Sequence, residues 1–224
     1  MKFDPYGMQA PAYNCMIEGN ARVLEEDDKG IFLFDRKAKI YILDQPDPKT
    51  ALEWVQNHLK EHMMICCAYE HTYTYLQEKL GFAMKASCMQ VVWTQDEPDA
   101  HGPLDLKLAQ LADLSEISRL YDLADEKELE QAVRNGELLT GWKDGCLAGF
   151  AGLHPEGGMG LLVVKEEFRN RGYASQLEKA AILLAMEKGL VPYAHIFTDN
   201  IALIGLQKKL GLKFSEDLFA WLER

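Results

Sequence analysis

The sequence predicts a mixed α/β fold in which helices cover a sheet. In residues 104–224, strand-like and helix-like patterns follow one another in the order β-α-α-β-β-β-α-β-α-β. Residues 31–93 give a shorter succession, which ends strand, helix, strand, helix, strand. One segment also recurs, because YLQEKLGF (75–82) returns as GLQKKLGL (205–212).

The first elements of the second half follow from apolar spacing and turn residues. LDLKLA, from Leu104, alternates like a strand, and helical spacing follows in LADLSEISRLYDLA and again in ADEKELEQAVRNG, which Gly136 ends. The segment 137–154 reads as a hairpin, since Asp144-Gly145 is a typical two-residue turn. GGMGLLVV (157–164) is a short strand rich in branched residues.

The last elements include two helices that end in glycine. The first begins after Gly172 and ends at Gly189, and the second is capped by Asn200 and ends at Gly211. Its inward face is predicted to consist of Leu203, Leu206 and Leu210. PYAHIF and KFSEDLFAWL are strands on either side of the second helix.

The first half is predicted to contain fewer elements. IFLFDRKAKIYIL forms a hairpin, KTALEWVQNHLKEH and HTYTYLQEKLG are helices, and MMICCA and FAMKASCMQVVW are strands. One short helix is expected around Tyr13 to Leu24. The polar, proline-containing TQDEPDAHGP (94–103) reads as a linker, which predicts domains at 1–93 and 104–224.

Composition narrows the class of protein. The chain has 224 residues, is 48% apolar, and carries a formal net charge of −11, which disfavours nucleic-acid binding because phosphate contacts need a basic face. No apolar run is long enough for a membrane span, and no secretion signal is visible. The five cysteines lack a CxxC pair and are expected to be buried free thiols in a reducing cytoplasm, without a metal.

The segment VVKEEFRNRGYASQLEKA (163–180) is the one most suited to chemistry. A strand ends at Val164, a polar turn follows, and a helix begins after Gly172. The first turn of a helix has unpaired N–H groups and a partial positive charge, which together suit a phosphate. Without a side chain, Gly172 lets a diphosphate approach the backbone, and Ala174 is small for the same reason.

The same turn carries local positive charge against the acidic background of the chain. Lys165, Arg169 and Arg171 all lie within it. The alternative interpretation is an ordinary strand-to-helix turn, in which the glycine eases packing and the arginines are solvated. Spacing alone leaves both interpretations open.

The six residues from Arg169 to Ala174 resemble the Arg/Gln-x-x-Gly-x-Gly/Ala loop of the GNAT superfamily, the acyl-CoA-dependent N-acyltransferases. Residues 104–222 are similar to the element order of that family, whose sheet is mixed and mostly antiparallel. Asn200, followed by Lys209-Leu210-Gly211, resembles a later family signature, with Leu212 in the place of its Phe. The PYAHIFTDN run is most similar to the glycine N-acyltransferase-like branch.

The resemblance implies a site for acetyl-CoA. Backbone groups of the strand Leu162, Val163 and Val164 would pair with the pantetheine arm, as a strand adds to a sheet edge. The loop N–H groups would hold the diphosphate, and the Asn200 side chain would bond the pantetheine. The residues implied in cofactor binding are Leu162, Val163, Val164, Arg169, Asn170, Arg171, Gly172, Tyr173, Ala174 and Asn200.

The reaction implied is direct attack of an amine on the thioester, with a backbone N–H near Val164 polarising the carbonyl. Glu156, at a strand junction, is the candidate general base, while His154 reads as a turn residue and His195 as a core histidine. Gln207 occupies the place where many members of the family have a tyrosine acid, and neither Tyr173 nor Tyr193 matches a catalytic position.

The first half lacks a corresponding loop. Where a phosphate loop would stand, the chain reads DQPDPK (44–49), and its Asp44, Asp47 and prolines would repel phosphate or offer no N–H. The repeated segment therefore indicates a degenerate, partial GNAT-like half without a cofactor site. Chance similarity of two amphipathic helices that end in glycine is the alternative.

Three functions remain open on the sequence. The first is an N-acyltransferase that moves an acetyl group from acetyl-CoA to the amine of a small, amino-acid-like molecule. The second is a non-catalytic acyl-CoA-binding or regulatory module, which Gln207 would fit. The third is a structural protein that dimerises through its terminal strands. The expected partner is a small amine, with no nucleic acid or membrane and with a homodimer left open.

Overall fold

The computed structural model describes residues 4–224, which contain seven α-helices and eleven strands. The helices are α1 (Ala10–Ile17), α2 (Pro48–Asn57), α3 (Glu70–Leu80), α4 (Leu114–Leu120), α5 (Glu126–Arg134), α6 (Tyr173–Glu187) and α7 (Ile201–Leu210). The strands are β1 (Ala21–Glu26), β2 (Ile31–Asp35), β3 (Tyr41–Asp44), β4 (Met64–Ala68), β5 (Ala83–Val92), β6 (Asp105–Leu108), β7 (Leu138–Lys143), β8 (Cys146–Leu153), β9 (Met159–Val164), β10 (Tyr193–Phe197) and β11 (Lys213–Glu223). The predicted mixed α/β class and the predicted order of the second half are confirmed.

The chain divides into two compact units. One contains the residues up to Thr94 together with Tyr193–Arg224, and the other is Gln95–Pro192. This division differs from the predicted domains because β10 and β11, although late in the chain, complete the sheet of the first unit. The linker at 94–103 does lie between β5 and β6, outside any helix or strand. The domain boundaries at 1–93 and 104–224 stay a prediction.

The first unit is built on a seven-stranded sheet in the order β1-β2-β3-β4-β11-β5-β10. Every neighbouring pair is antiparallel except β3 and β4. The predicted hairpin of β2 and β3 is confirmed. The helix expected around Tyr13 to Leu24 is wrong beyond Ile17, since Gly19 takes a φ of 72° and Ala21–Glu26 then pairs with β2.

Each face of this sheet carries a buried apolar cluster. Side chains alternate between the faces along each strand, so Cys67 joins one apolar cluster and its neighbour Cys66 joins the other. Four cysteines are buried free thiols, as predicted for them. The same prediction is wrong for Cys146, which is exposed because it follows the turn of the β7–β8 hairpin.

The two copies of the repeated segment occupy matching places in the first unit. Each forms the end of a helix, α3 or α7, and each helix stops at a left-handed glycine, Gly81 or Gly211. The following strands, β5 and β11, pair with each other, and each also borders the strand that precedes the other's helix. The pairing is reciprocal. In the repeat, positions 88 and 89 correspond to positions 218 and 219, and Cys88 lies opposite Phe219 while Met89 lies opposite Leu218.

As a result of this pairing, β11 lies between β4 and β5 in the sheet. Both hydrogen-bonding edges of β11 are therefore occupied, so it offers no edge to a second copy. A dimer through the terminal strands could therefore not use edge pairing of β11. A homodimer through another surface stays a prediction.

The face that α7 buries differs from the prediction. Ile204 and Gln207 are its buried residues, whereas Leu203, Leu206 and Leu210 are only half-buried. The spacing of the three leucines predicts a buried stripe that lies directly beside the stripe the helix buries.

The second unit is a four-stranded antiparallel sheet in the order β6-β7-β8-β9. The predicted turn at Asp144-Gly145 is confirmed, with φ values of 51° and 79°. An apolar core of Ile117, Leu129, Phe150 and Leu161 joins the sheet to α4 and α5. The strand β9 is an edge strand of this sheet, and it leads into the predicted loop. None of the helices within residues 4–224 is both long and apolar enough to cross a membrane.

Candidate active site

The loop from Lys165 to Gly172 joins β9 to α6 and is braced by its own bonds. A short 3-10 turn spans Glu166–Phe168. The Nε of Arg169 donates to the carbonyl of Val164 at 3.1 Å, and Nη2 of Arg171 donates to the carbonyl of Glu167 at 2.9 Å. The loop therefore has a defined conformation that its own arginines help to hold.

Two residues of the loop have left-handed backbone. Asn170 has a φ of 61° and Gly172 a φ of 81°. A Cβ placed on Gly172 would meet no atom within 4 Å, so the space beside this residue is open. Glycine is needed here for the backbone conformation and also leaves the helix start accessible.

The start of α6 presents a cluster of N–H donors. Within residues 4–224, the backbone N–H groups of Arg171, Gly172, Tyr173 and Ala174 donate to no protein acceptor. The side chain of Tyr173 is buried and anchors this first turn, while Gly172 is exposed. A helix of fifteen residues adds the partial positive charge of its dipole. Donors of this kind can bind an anion with several oxygens, and the binding of an anion here stays a prediction.

The charge of the loop comes from fewer residues than predicted. Lys165 donates to Glu116, so its charge is largely compensated. Arg169 and Arg171 are exposed and bond backbone carbonyls, and neither has a carboxylate partner in the part of the chain that the structure describes. Because exposed arginines can turn toward a ligand, these two provide the positive charge of the site.

A bulge interrupts β9 just before the loop. Between the pairs Phe150–Val163 and Gly152–Gly160, β9 has one residue more than β8, and Leu161 adopts a φ of 53°. Positive φ is rare for a branched, bulky residue and is often found at functional sites. The bulge redirects the backbone of Leu162–Val164, the edge segment implied in cofactor binding.

Glu156 lies in the turn between β8 and β9 and is half-buried. His154 begins the same turn, and its Nδ1 lies 3.5 Å from Oε1 of Glu128, at the start of α5. Burial alone lowers the pKa of His154, but the hydrogen bond to Glu128 and the charges of Glu156 and Glu128 outweigh it and raise the pKa above its ordinary value. His154 therefore also pairs with a carboxylate of α5, in addition to its place in the turn.

Tyr121, at the end of α4, completes a group around the bulge. Burial, followed by the charges of Glu128 and Glu156, raises the pKa of Tyr121 to about 12, while a backbone hydrogen bond at Leu161 acts in the opposite direction. Its ring packs edge-on to Phe150 with centroids 6.4 Å apart. Tyr121 is therefore within electrostatic reach of the same two carboxylates that act on His154.

Sequence reasoning missed Tyr121, Glu128 and Leu161. The first two lie in helical patterns where a half-exposed Tyr or Glu is ordinary, and nothing in their spacing indicates a common site. Leu161 belongs to an apolar strand pattern that contains no turn residue to signal a bulge. Only the pairing of β8 with β9 brings these positions together.

The remaining candidates belong to the first unit. The Oδ1 of Asn200 accepts from the N–H of Leu203 at 3.1 Å, so the predicted cap is confirmed. Gln207 is buried, and its amide provides no acid. The Nε2 of His195 lies 3.1 Å from Oε1 of Gln90, and the ring packs at a tilt against Phe219 with centroids 4.6 Å apart, which matches the predicted core histidine. No group of three or more His, Cys, Asp and Glu within residues 4–224 is arranged to hold a metal ion.

Comparison with known proteins agrees with this geometry. The sequence model described as the acetyltransferase (GNAT) family matches residues 106–212, which include the loop and Asn200. No curated protein sequence matches the chain significantly.

Similar folds occur in solved structures. A Drosophila protein has a TM-score of 0.69 and 16% identity, with 87% of this chain and 73% of that chain covered. A GCN5-related N-acetyltransferase from Kribbella flavida has a TM-score of 0.61 and 13% identity, with 97% and 95% covered. A tandem GNAT protein from the clavulanic acid biosynthesis pathway has a TM-score of 0.55 and 12% identity, with 94% and 87% covered. At these identities the likeness concerns the fold. The chain therefore shares its fold with these structures, and residues 106–212, slightly less than half of it, are similar to the acetyltransferase (GNAT) family.

Proposed function

We propose that this protein transfers an acetyl group from acetyl-CoA to the amine of a small, amino-acid-like molecule. The observation that carries the proposal is the set of unbonded N–H groups from Arg171 to Ala174, beside an open Gly172 and two exposed arginines. This arrangement suits a diphosphate, and the acidic surroundings elsewhere in the chain would otherwise disfavour an anion.

The acyl donor would also contact β9. The segment Leu162–Val164 is a half-buried part of an edge strand, where a pantetheine arm can pair as an added strand. The proposal for Asn200 rests on its motif match, because its side-chain oxygen caps α7 in this structure. When bound, acetyl-CoA supplies an activated acyl group as a thioester.

The chain's own residues would then prepare the amine. For an amine of pKa about 10.4, only about one molecule in 2,500 is neutral at pH 7, which corresponds to roughly 4.6 kcal/mol. Glu156 would take the proton from the ammonium group, and a backbone N–H near Val164 would polarise the thioester carbonyl. With Gln207 in the tyrosine place, solvent would protonate a thiolate, whose pKa of about 8.5 makes it a tolerable leaving group.

The half-buried carboxylates favour a cationic acceptor. Glu128 and Glu156 both act on His154, which packs on β9 beside the bulge, and the chain carries a net charge of −11. A protonated amine would be attracted to this region before it loses its proton. The chemistry of the site therefore supports an amine in preference to an alcohol or a carboxylate.

We further propose that residues 1–93 are a degenerate GNAT-like copy, and that the chain belongs near the glycine N-acyltransferase-like branch. The reciprocal exchange of β5 and β11 supports the first point. The loop before α2 supports the loss of the cofactor site, because the Asp47 side chain accepts from the N–H groups of Lys49 and Thr50. The helix start that could bind phosphate is thus occupied by the chain's own carboxylate.

The experiment that tests the function is a thiol-release assay. The purified protein is incubated with acetyl-CoA and a panel of small amines, and free CoA thiol is measured. We expect release that depends on the amine. Tight CoA binding without release across the panel would instead favour a non-catalytic acyl-CoA-binding module, which the buried Gln207 would fit. If CoA does not bind at all, both functions are wrong.

Replacement of the candidate base should be most damaging in acid. We expect Glu156→Gln to lower kcat/KM by about 100-fold, within the range for general bases. The loss should be largest at low pH, where more of the amine is protonated and needs a base. The measurement is the pH profile of thiol release. Glu126→Gln, an exposed residue of α5, removes the same charge and serves as the control. A uniform loss at all pH values would argue against Glu156 as the base.

A further inference from the structure

The side chain of His154 occupies a defined position beside the bulge of β9. A Cβ on Gly160 would lie 2.4 Å from its Nε2 and 2.6 Å from its Cδ2. The imidazole therefore packs directly on the backbone of β9, one residue before Leu161. The absence of a side chain at Gly160 is what allows this position.

The other side of the ring is held by Glu128. Its carboxylate lies 3.5 Å from Nδ1, and the exposed fractions of the two side chains are 26% and 33%. Glu128 is itself fixed, since its N–H donates to the Asp125 side chain at the start of α5 at 2.8 Å. A carboxylate on Nδ1 favours the tautomer with its proton there and leaves Nε2 as the basic nitrogen.

Two carboxylates act on this ring. Glu128, from α5, lies 3.5 Å from Nδ1, and the charge of Glu156, from the β8–β9 turn, acts in the same direction. The same two carboxylates also raise the pKa of Tyr121, at the end of α4. Two negative charges around one imidazole stabilise its protonated form. A carboxylate of ordinary pKa near 4.3 keeps a proton poorly at neutral pH, whereas an imidazole in this setting keeps it well.

We propose that His154, oriented by Glu128, is the group that stores the amine proton during acyl transfer, and that Glu156 binds the ammonium and passes its proton on. This inference rests on the proposed function and deepens it. His154 is then a catalytic residue, whereas Glu128 is a positioning residue that acts through it.

The ammonium loses one proton, which is transferred through Glu156 to Nε2 of His154, and the neutral amine attacks the thioester carbon. The new C–N bond forms as the C–S bond breaks. The amine then loses its second proton to solvent, and solvent protonates the thiolate. His154 then returns its proton to water, so that one amide, one free thiol and one proton are produced for each ammonium and thioester consumed.

The test is the acid limb of kcat/KM against pH, measured by thiol release with an amine that the panel identifies. Only unprotonated His154 can accept a proton, so activity rises through its pKa. In Glu128→Gln the carboxylate that raises this pKa is lost, and we expect the acid limb to move to lower pH. The charge-matched control Glu126→Gln should leave the limb in place.

A direct measurement of the pKa of His154 tests its role separately from the proposed acyl transfer. Histidine NMR titration of the wild type, with His154 assigned by loss of its signal in His154→Gln, should give a pKa that coincides with the acid limb and shifts with it in Glu128→Gln. We expect His154→Gln to lower kcat/KM by about 100-fold. Gly160→Ala, which displaces only the ring, should give a comparable loss with CoA affinity retained.

Two results would overturn the inference. One is turnover in which the acid limb does not move in Glu128→Gln, and the other is full activity of His154→Gln. In both cases the proposed function survives, because thiol release still depends on the amine. Absence of any release with intact CoA binding would count against the proposed function itself, and the role of His154 would be wrong with it.

Discussion

Replacement of Gly172 by glutamate is expected to abolish acetyl-CoA binding. The space beside Gly172 is open, so a glutamate would extend into the region where the unbonded N–H groups of α6 would receive a diphosphate. Two like charges about 5 Å apart at an effective dielectric constant near 20 repel by roughly 3 kcal/mol. This corresponds to a loss of more than about 100-fold in affinity, measurable by calorimetry with CoA.

The control for this variant is Gly172→Ala. Any residue other than glycine at a φ of 81° is strained, by about 1–2 kcal/mol, but alanine adds no charge. We expect Gly172→Ala to lose stability by a similar amount to Gly172→Glu while keeping most of its CoA affinity. If the glutamate variant binds CoA as tightly as the alanine variant, the loop assignment is wrong.

Replacement of Gly149 by valine is expected to destabilise the second unit strongly. Gly149 lies on β8 opposite Val164 of β9, and a Cβ there would come within 2.3 Å of the carbonyl oxygen of Val163. The neighbour is backbone, which cannot rotate away, so the strands must separate. Overpacking of this kind costs about 1–3 kcal/mol and sometimes more, and urea unfolding would measure it.

The same change should weaken CoA binding because β9 supplies the edge implied in pantetheine pairing. Gly205→Ala is the contrasting variant. Its Cβ meets nothing within 4 Å in α7, and alanine is favoured over glycine in a helix by about 0.5–1 kcal/mol. We expect a small gain in stability and unchanged CoA affinity. Equal stability of the Gly149→Val protein and the wild type would contradict the tight β8–β9 pairing.

The loop was predictable from sequence because its chemistry is local. A strand end, two arginines, a glycine and a helix start follow one another within ten residues, and their geometry depends on few distant contacts. The structure confirms the helix start at Tyr173 and adds the braces of Arg169 and Arg171. The prediction for Lys165 was wrong because its partner, Glu116, lies 49 positions away.

The pair proposed for proton transfer was not predictable in this way. Glu128 and His154 come from separate elements, α5 and the β8–β9 turn, and the core that α5 shares with the β8–β9 pair brings them together. The bulge at Leu161 depends on a mismatch between two strands, which periodicity within one strand cannot reveal.

The repeated segment shows the same division. The sequence by itself determined the two helices and their terminal glycines, because helix propensity and left-handed glycine are properties of neighbouring residues. It also predicts that a phosphate-binding loop occurs once, since local charge is likewise a property of neighbouring residues. Tertiary structure alone decided where the strands after these helices belong. Hydrogen bonds between strands carry no sequence code for their partner. β5 and β11 pair with each other, and each fills its other edge with the strand that precedes the other's helix.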